Sequence, residues 1–371
     1  MDTVTHTLVG TAISDCYFRR RLGPTATPFA LIVSAMPDLD LLAYFISPEY
    51  AWLHHRGYTH SFLPMLLISP LLGCAGYFLS RRQGTWGQWT LLAVLCLFCH
   101  TVIDLVTSWG TMPWLPFSNA RVSWDIAPIL DVFVFSLSAA SFIANRLLRW
   151  EKVEHFLNPL AYPLVHRHPG RQRVADWFGR AAVILMVIYL VFGWHENRQT
   201  VRIAREELAA AGINAVEVRA LPIMFTWVAW GIAARDAEGT VYNAVYSSYA
   251  PKPMRFTKYP MSKDSVVRQA IESPEGKLFA WYAQDMFTAT VDESGSEGKK
   301  VLLVDRRFFN LTRPDLPRFA MEFGGFPAGR NNGAFLTASN RRGFGGVDLR
   351  AEAESLWRLL IDGEVPPSAG K

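Results

Sequence analysis

The chain has 371 residues, of which half are hydrophobic, 19% are charged and 13 are tryptophan, with a formal net charge of +5. Such a length suggests about two domains, and so apolar and Trp-rich a composition points away from an ordinary soluble protein toward one partly embedded in a bilayer. The positive charge does not argue for a nucleic-acid partner, because no basic patch sits on a recognisable binding module. Acidic residues are sparse at first. Through Trp150 they are Asp2, Asp15, Asp38, Asp40, Glu49, Asp104, Asp125 and Asp131, with none between Glu49 and Asp104.

In chain order, residues 3–18 form an apolar stretch that is either a short span or a half-buried helix. The N-terminus lacks the basic start of a cleaved signal peptide, since Arg19-Arg20-Arg21 follows the apolar run. Residues 27–47 are apolar but interrupted by Pro37, Asp38 and Asp40, which predicts a kinked span lining a cavity. Spans are also expected over 61–80, 88–109, 129–148 and 177–194. If these five stretches cross, the arginines at 19–21, at 81–82 and around residues 146–180 share one side, which the positive-inside rule makes cytoplasmic. The loops carrying residues 54–60 and 109–128, and everything after Trp194, then lie outside.

After Trp194 a helical pattern covers 196–211, followed by strand patterns at 215–221, 225–234, 241–249, 278–283, 287–292 and 300–305. Asp236-Ala237-Glu238-Gly239 is a hairpin turn, Ser262 caps a short helix to Glu272, residues 324–346 form a long loop and 348–361 a terminal helix. The expected architecture is an α-helical multi-span membrane domain (1–150), a basic cytoplasmic loop (151–176), a last span (177–194) and a soluble α+β domain (195–371) on the outer face.

The apolar half carries ionisable residues in four clusters: Asp2 with His6, Asp38 with Asp40, His54-His55-Arg56 through His60, and His100 with Asp104. A charge at membrane depth is costly, so by default it marks a functional site with a partner. Imidazole and carboxylate are also the ligands that Zn²⁺ or Mn²⁺ accepts. His100 and Asp104 share a helix face, as a ligand pair or as a mutually satisfied polar pair. Asp38 and Asp40 would repel each other without a cation, unless both are solvated at the membrane surface. Three imidazoles and Arg56 within eight residues fit a metal site with an oxyanion-stabilising cation, or a headgroup-binding patch. Asp2 has a helix-start role, and Asp131 is a further ligand or supporting residue. Cys96 and Cys99 are more simply small buried hydrophobes than a thiolate site. His155, His166, His168 and His195 need no special role.

The ordered motifs Asp2-x-x-x-His6, Pro37-Asp38-Leu39-Asp40, His55-Arg56-x-x-Thr59-His60-Ser61, His100-x-x-x-Asp104 and Leu115-Pro116-Phe117-Ser118 resemble the YdjM-like family of bacterial inner-membrane proteins, described as membrane-bound metal-dependent hydrolases. The resemblance covers roughly residues 1–150 and implies a divalent metal, zinc before manganese, at positions matching His6, Asp38, Asp40, His55, His60, His100 and Asp104. His54 is an extra histidine beside the motif, which leaves the choice between His54 and His55 open.

The expected activity is metal-dependent hydrolysis of a lipid or another membrane-associated (phospho)ester at the outer face. Asp40 or Asp104 would be the base and Arg56 the stabiliser of the developing oxyanion. A carrier of metal ions or protons using the same residues is the alternative.

Overall fold

The structure is a computed structural model that describes residues 1–46, 51, 55–149, 169–293, 298–312, 314, 318–326, 334–337 and 349–365. It divides into two compact units, Met1–Phe192 and Gly193–Lys371. His54, His155, His166, His168, most of the basic loop at 151–176 and much of the stretch 324–346 lie outside the described residues.

In the first unit, α1 (Thr3–Ile13) is capped by Asp2, whose carboxylate accepts from the Thr5 amide and hydroxyl. The helical path runs on through a π-helical turn, Ser14–Phe18, into Arg19–Leu22. Most of α1 is buried against α2 (Ala26–Ala35), α4 (Trp86–Leu105) and α5 (Val132–Arg149). At Pro37 the α-helical ladder gives way to a 3₁₀ stretch, Met36–Phe45, because proline offers no amide to the Val33 carbonyl. The kink predicted in this span is therefore a change of helix type.

α3 (Phe62–Leu79) and α4 form an antiparallel hairpin, and Thr85 opens α4 with a capping box completed by Gln88. Among the described residues, four helical stretches are long and apolar enough to cross a membrane: Ala26–Ala43, Phe62–Leu79, Trp86–Leu105 and Arg173–Ala210; Val132–Leu148 is a shorter apolar helix. Asp131 is not part of the His/Asp cluster. Its carboxylate caps α5 through the Val134 amide (2.8 Å) and accepts the Tyr189 hydroxyl (2.5 Å).

α6 runs unbroken from Pro169 to Ala210. The expected division into a loop to 176, a span and a separate helix after 196 does not occur, because no proline or capping signal interrupts the stretch. The second unit begins within α6 and holds, among the described residues, two antiparallel four-stranded sheets. The first has β1 (Ala215–Pro222), β2 (Ala229–Asp236), β3 (Val241–Ser247) and β4 (Thr257–Tyr259) in sequence order. The predicted hairpin turn joins β2 and β3, with Asp236 accepting from the Glu238 and Thr240 amides and Gly239 at φ 82°.

α7 (Ser265–Glu272) starts at an Asp264 cap, not at Ser262. The predicted strand at 278–283 is instead the end of α8 (Pro274–Tyr282) and its Ala283 cap, since Ser273 caps the helix start and Pro274 and Glu275 suit its first turn. The second sheet contains β5 (Phe287–Asp292), β6 (Lys299–Asp305), β7 (Phe319–Phe326) and β8 (Ala334–Thr337), so part of the expected 324–346 loop is strand. Cross-strand pairing to β6 outweighs the glycines of β7 and leaves a register shift between Lys299 and Val301. α9 (Leu349–Asp362) forms as expected.

The α3–α4 hairpin is close enough to demand glycine. A Cβ at Gly73 would meet the Thr90 backbone at 2.6–2.7 Å. Gly73→Ala should therefore destabilise the first unit by about 1–3 kcal/mol, the range for overpacking, as a lowered thermal midpoint in detergent, whereas Gly87→Ala, which meets nothing within 4 Å, should not.

Candidate metal centre

The cluster residues reach the site from four elements. α1 supplies His6, the 3₁₀ stretch Asp38 and Asp40, a short turn His60, and α4 His100 and Asp104. His60, His100 and Asp104 are buried, as is Asp38. One ligand atom from each of these four lies within 4.8 Å of the others.

The individual separations are informative. His60 Nε2 and His100 Nε2 are 3.0 Å apart; Asp38 Oδ1 is 3.5 Å from both; Asp104 Oδ2 is 3.2 Å from His60 and 3.7 Å from His100. Tetrahedral zinc with ligands near 2.0–2.1 Å spaces those ligands roughly 3.3 Å apart. Asp38 Oδ2 is buried without a hydrogen-bond partner among the described residues, and Asp104 Oδ2 faces the His60 and His100 nitrogens; a cation held among these atoms would relieve the cost of burying both carboxylates. The four residues fit a divalent metal.

The groups behind them aim them. His100 Nδ1 donates to the Ser34 carbonyl at 2.7 Å, which leaves the Nε2 lone pair facing the cluster. His60 Nδ1 contacts the Thr59 hydroxyl (2.9 Å), which in turn donates to Asp40 Oδ2 (2.8 Å). Asp40 also accepts from the Arg56 amide and pairs with His55 Nδ1, each at 2.9 Å. The two aspartates after Pro37 thus serve opposite sides of one imidazole, Asp38 at Nε2 and Asp40 at Nδ1 (3.4 Å). Burial disfavours a charged His60, but the carboxylates of Asp104, Asp38 and Asp40 prevail and push its pKa up to about 10. Burial holds the His55 pKa below its usual value, against the pull of Asp40.

Oδ1 of Asp104 faces away from the four. It receives the Met1 amine, His6 Nε2 (3.2 Å) and the Arg56 guanidinium (2.9 Å). His6 also stacks on His100 at 3.7 Å between ring centroids. Arg56 is buried, adopts φ 60° and donates to Thr107 at 3.0 Å, while its Nε has no hydrogen-bond partner among the described residues. A bulky residue in left-handed backbone is strained, and such strain gathers at functional sites.

The loop after α4 fixes this arrangement: Met112 N donates to Arg56 O, Ser61 Oγ to Met112 O, and Arg121 to the carbonyls of Gly110 and His55. Sequence reasoning missed Ser34 and Thr107. The Ser34 carbonyl carries no residue-type signal, and Thr107 is one apolar turn beyond Asp104. The four cysteines are free thiols, and none belongs to the cluster.

A model of the YdjM inner membrane protein family matches residues 1–200, more than half of the chain and all of the cluster. The chain belongs to this family. YfhP of Bacillus subtilis (strain 168), described as uncharacterized, is 28% identical over 148 residues, covering 36% of this chain and 43% of YfhP. The chain thus aligns with less than half of that relative's length. No solved structure matches it. The family description and the apolar helices make this an inner membrane protein.

Metal ligands must be deprotonated, and His60 is protonated below about 10 when no cation opposes it. Zinc binding at neutral pH should release about one proton from His60, and the apparent affinity should rise about tenfold per pH unit through the neutral range. Calorimetry in buffers of differing ionisation enthalpy measures both. His60→Ala and Asp104→Ala should abolish stoichiometric metal in elemental analysis, whereas Asp40→Asn should weaken it about 10–100-fold, as loss of an orienting partner does.

Proposed function

We propose that this protein is a metal-dependent hydrolase acting at the membrane interface on a lipid or another membrane-associated ester, with phosphoesters preferred. The convergence of Asp38, His60, His100 and Asp104 beside a buried arginine carries this reading. These four side chains would hold a divalent ion, zinc or else manganese. Such an ion supplies Lewis acidity and lowers the pKa of water at the site.

The chain's own residues supply the rest. Arg56 is anchored by its terminal nitrogens to Asp104 and Thr107, which leaves Nε for an anionic substrate oxygen. Asp40 lies outside the four and pairs with His55. That pair is the proton acceptor in our reading, and Asp104, the other candidate base, is assigned to the metal. His6 supports Asp104 and His100 from α1.

A lipid substrate is supported by the surface around the site. Leu39, Leu42 and Phe45 of the 3₁₀ stretch are exposed beside Asp38 and Asp40, and Trp114 and Phe117 are exposed on the loop after α4. Apolar side chains this close to buried ligands suit a substrate that arrives from the bilayer. The distribution of arginines favours an extracytoplasmic site and second unit.

In proteoliposomes loaded with zinc, the wild type should hydrolyse phosphatidic acid or a diacyl phospholipid. Arg56→Gln should lower turnover by about 100-fold or more with metal content unchanged. Zinc uptake into the vesicles with no hydrolysis of any phosphoester or carboxylic ester would replace this reading with transport.

A further inference from the structure

The second unit carries an unusual hairpin. Loops are ordinarily polar and solvated, yet residues 222–228, Pro-Ile-Met-Phe-Thr-Trp-Val, contain no charged side chain. Phe225 is 57% exposed and Trp227 38%. Phe225 also sits at φ 68°, a genuine outlier for a bulky residue. Ser248 N donates to Val228 O at 2.8 Å, which brings Tyr249, 71% exposed, to the same end of the sheet.

Where this end lies follows from the unit's own helix. The apolar run of α6 ends at Trp194, and His195, Glu196, Asn197 and Arg198 follow at once. A tryptophan at such a junction marks the lipid–water interface, and the Arg198 guanidinium lies 5.8 Å from the Trp194 ring centroid. α6 then turns back into β1 through Gly212, with Ile213 N bonded to Leu208 O. β1 returns alongside the helix, so that Asn197 Nδ2 reaches Ala220 O at 2.7 Å.

Asn197 is three residues past Trp194, about 4.5 Å of helix rise. Pro222 is two residues past Ala220 in the returning direction, about 6.6 Å of strand. The loop that follows Pro222 is therefore level with Trp194 or deeper.

We propose that the β1–β2 loop, with Phe225 and Trp227 at its tip and Tyr249 beside it, inserts into the interfacial lipid of the bilayer that holds the chain's own helices. Aromatic side chains are the residues that partition there. The Asp236–Gly239 turn, at the far end of the same sheet, stays in water.

The test uses the full-length chain in proteoliposomes. Phe225→Cys, Tyr249→Cys and Glu238→Cys are each labelled with an environment-sensitive thiol fluorophore, with the wild type labelled in parallel to subtract its native thiols. At 225 and 249 the emission should shift to the blue of that at 238 and be quenched by nitroxide-bearing lipid chains. Two independent positions keep the test decisive if one variant is poorly expressed. Emission at 225 and 249 matching that at 238 overturns the proposal. Blue-shifted emission that lipid nitroxides fail to quench also overturns it, since protein and not lipid would then cover the loop.

Discussion

The arrangement of the first unit follows from the cost of placing carboxylates among apolar helices. An ionised acid removed from water needs an opposite charge or several donors to persist. Asp104 is wholly buried, and its surroundings are arranged around that fact: Arg56, His6 and the Met1 amine on one oxygen, His60 and His100 on the other. Meeting this demand fixes backbone as well as side chains. Arg56 takes a strained conformation, and its carbonyl and amide are held by Met112 and Asp40. The irregular segment at 55–61 is tied to this place through Asp40, Thr107 and Met112, whereas the loop at 106–127 is held mainly by backbone bonds, such as those pairing Thr111 with Val122 and Trp124 N with Leu105 O.

Two kinds of information place these residues. Spacing within one helix was legible in the sequence, as with His100 and Asp104, because a four-residue interval sets a common face. Order along the chain gave the membership of the cluster, since an ionisable residue in an apolar run has few inexpensive explanations. What remained hidden was the division of labour. Nothing local shows that Asp38 meets Nε2 of His60 while Asp40 meets Nδ1, because that depends on packing between the 3₁₀ stretch and a turn some twenty residues away. Asp131 shows the converse. It begins an apolar helix as a ligand might, but its neighbours make it a helix cap and a partner of Tyr189.

The second unit divides in the same way. Turn chemistry located the β2–β3 hairpin, where Asp236 and Gly239 satisfy a strict local requirement. Short apolar runs were ambiguous: residues 278–283 have strand-like composition, but Ser273 and Pro274 commit them to a helix. The glycines at 324 and 325 suggest a loop, and only pairing with a distant strand makes them part of β7. Local signals decided turns and caps, whereas strand membership waited on partners.

The 3₁₀ stretch after Pro37 also works as an angular setting. With three residues per turn, each step advances about 120°, against about 100° in an α-helix. Were Met36–Phe45 to relax to α geometry, the mismatch of about 20° per residue would grow along the stretch. Asp40 would swing further than Asp38, and the two carboxylates would lose their common imidazole. The aim of the site thus depends on a winding number held over ten residues, and a lipid-facing substitution that changes helix type could detune it without touching a ligand.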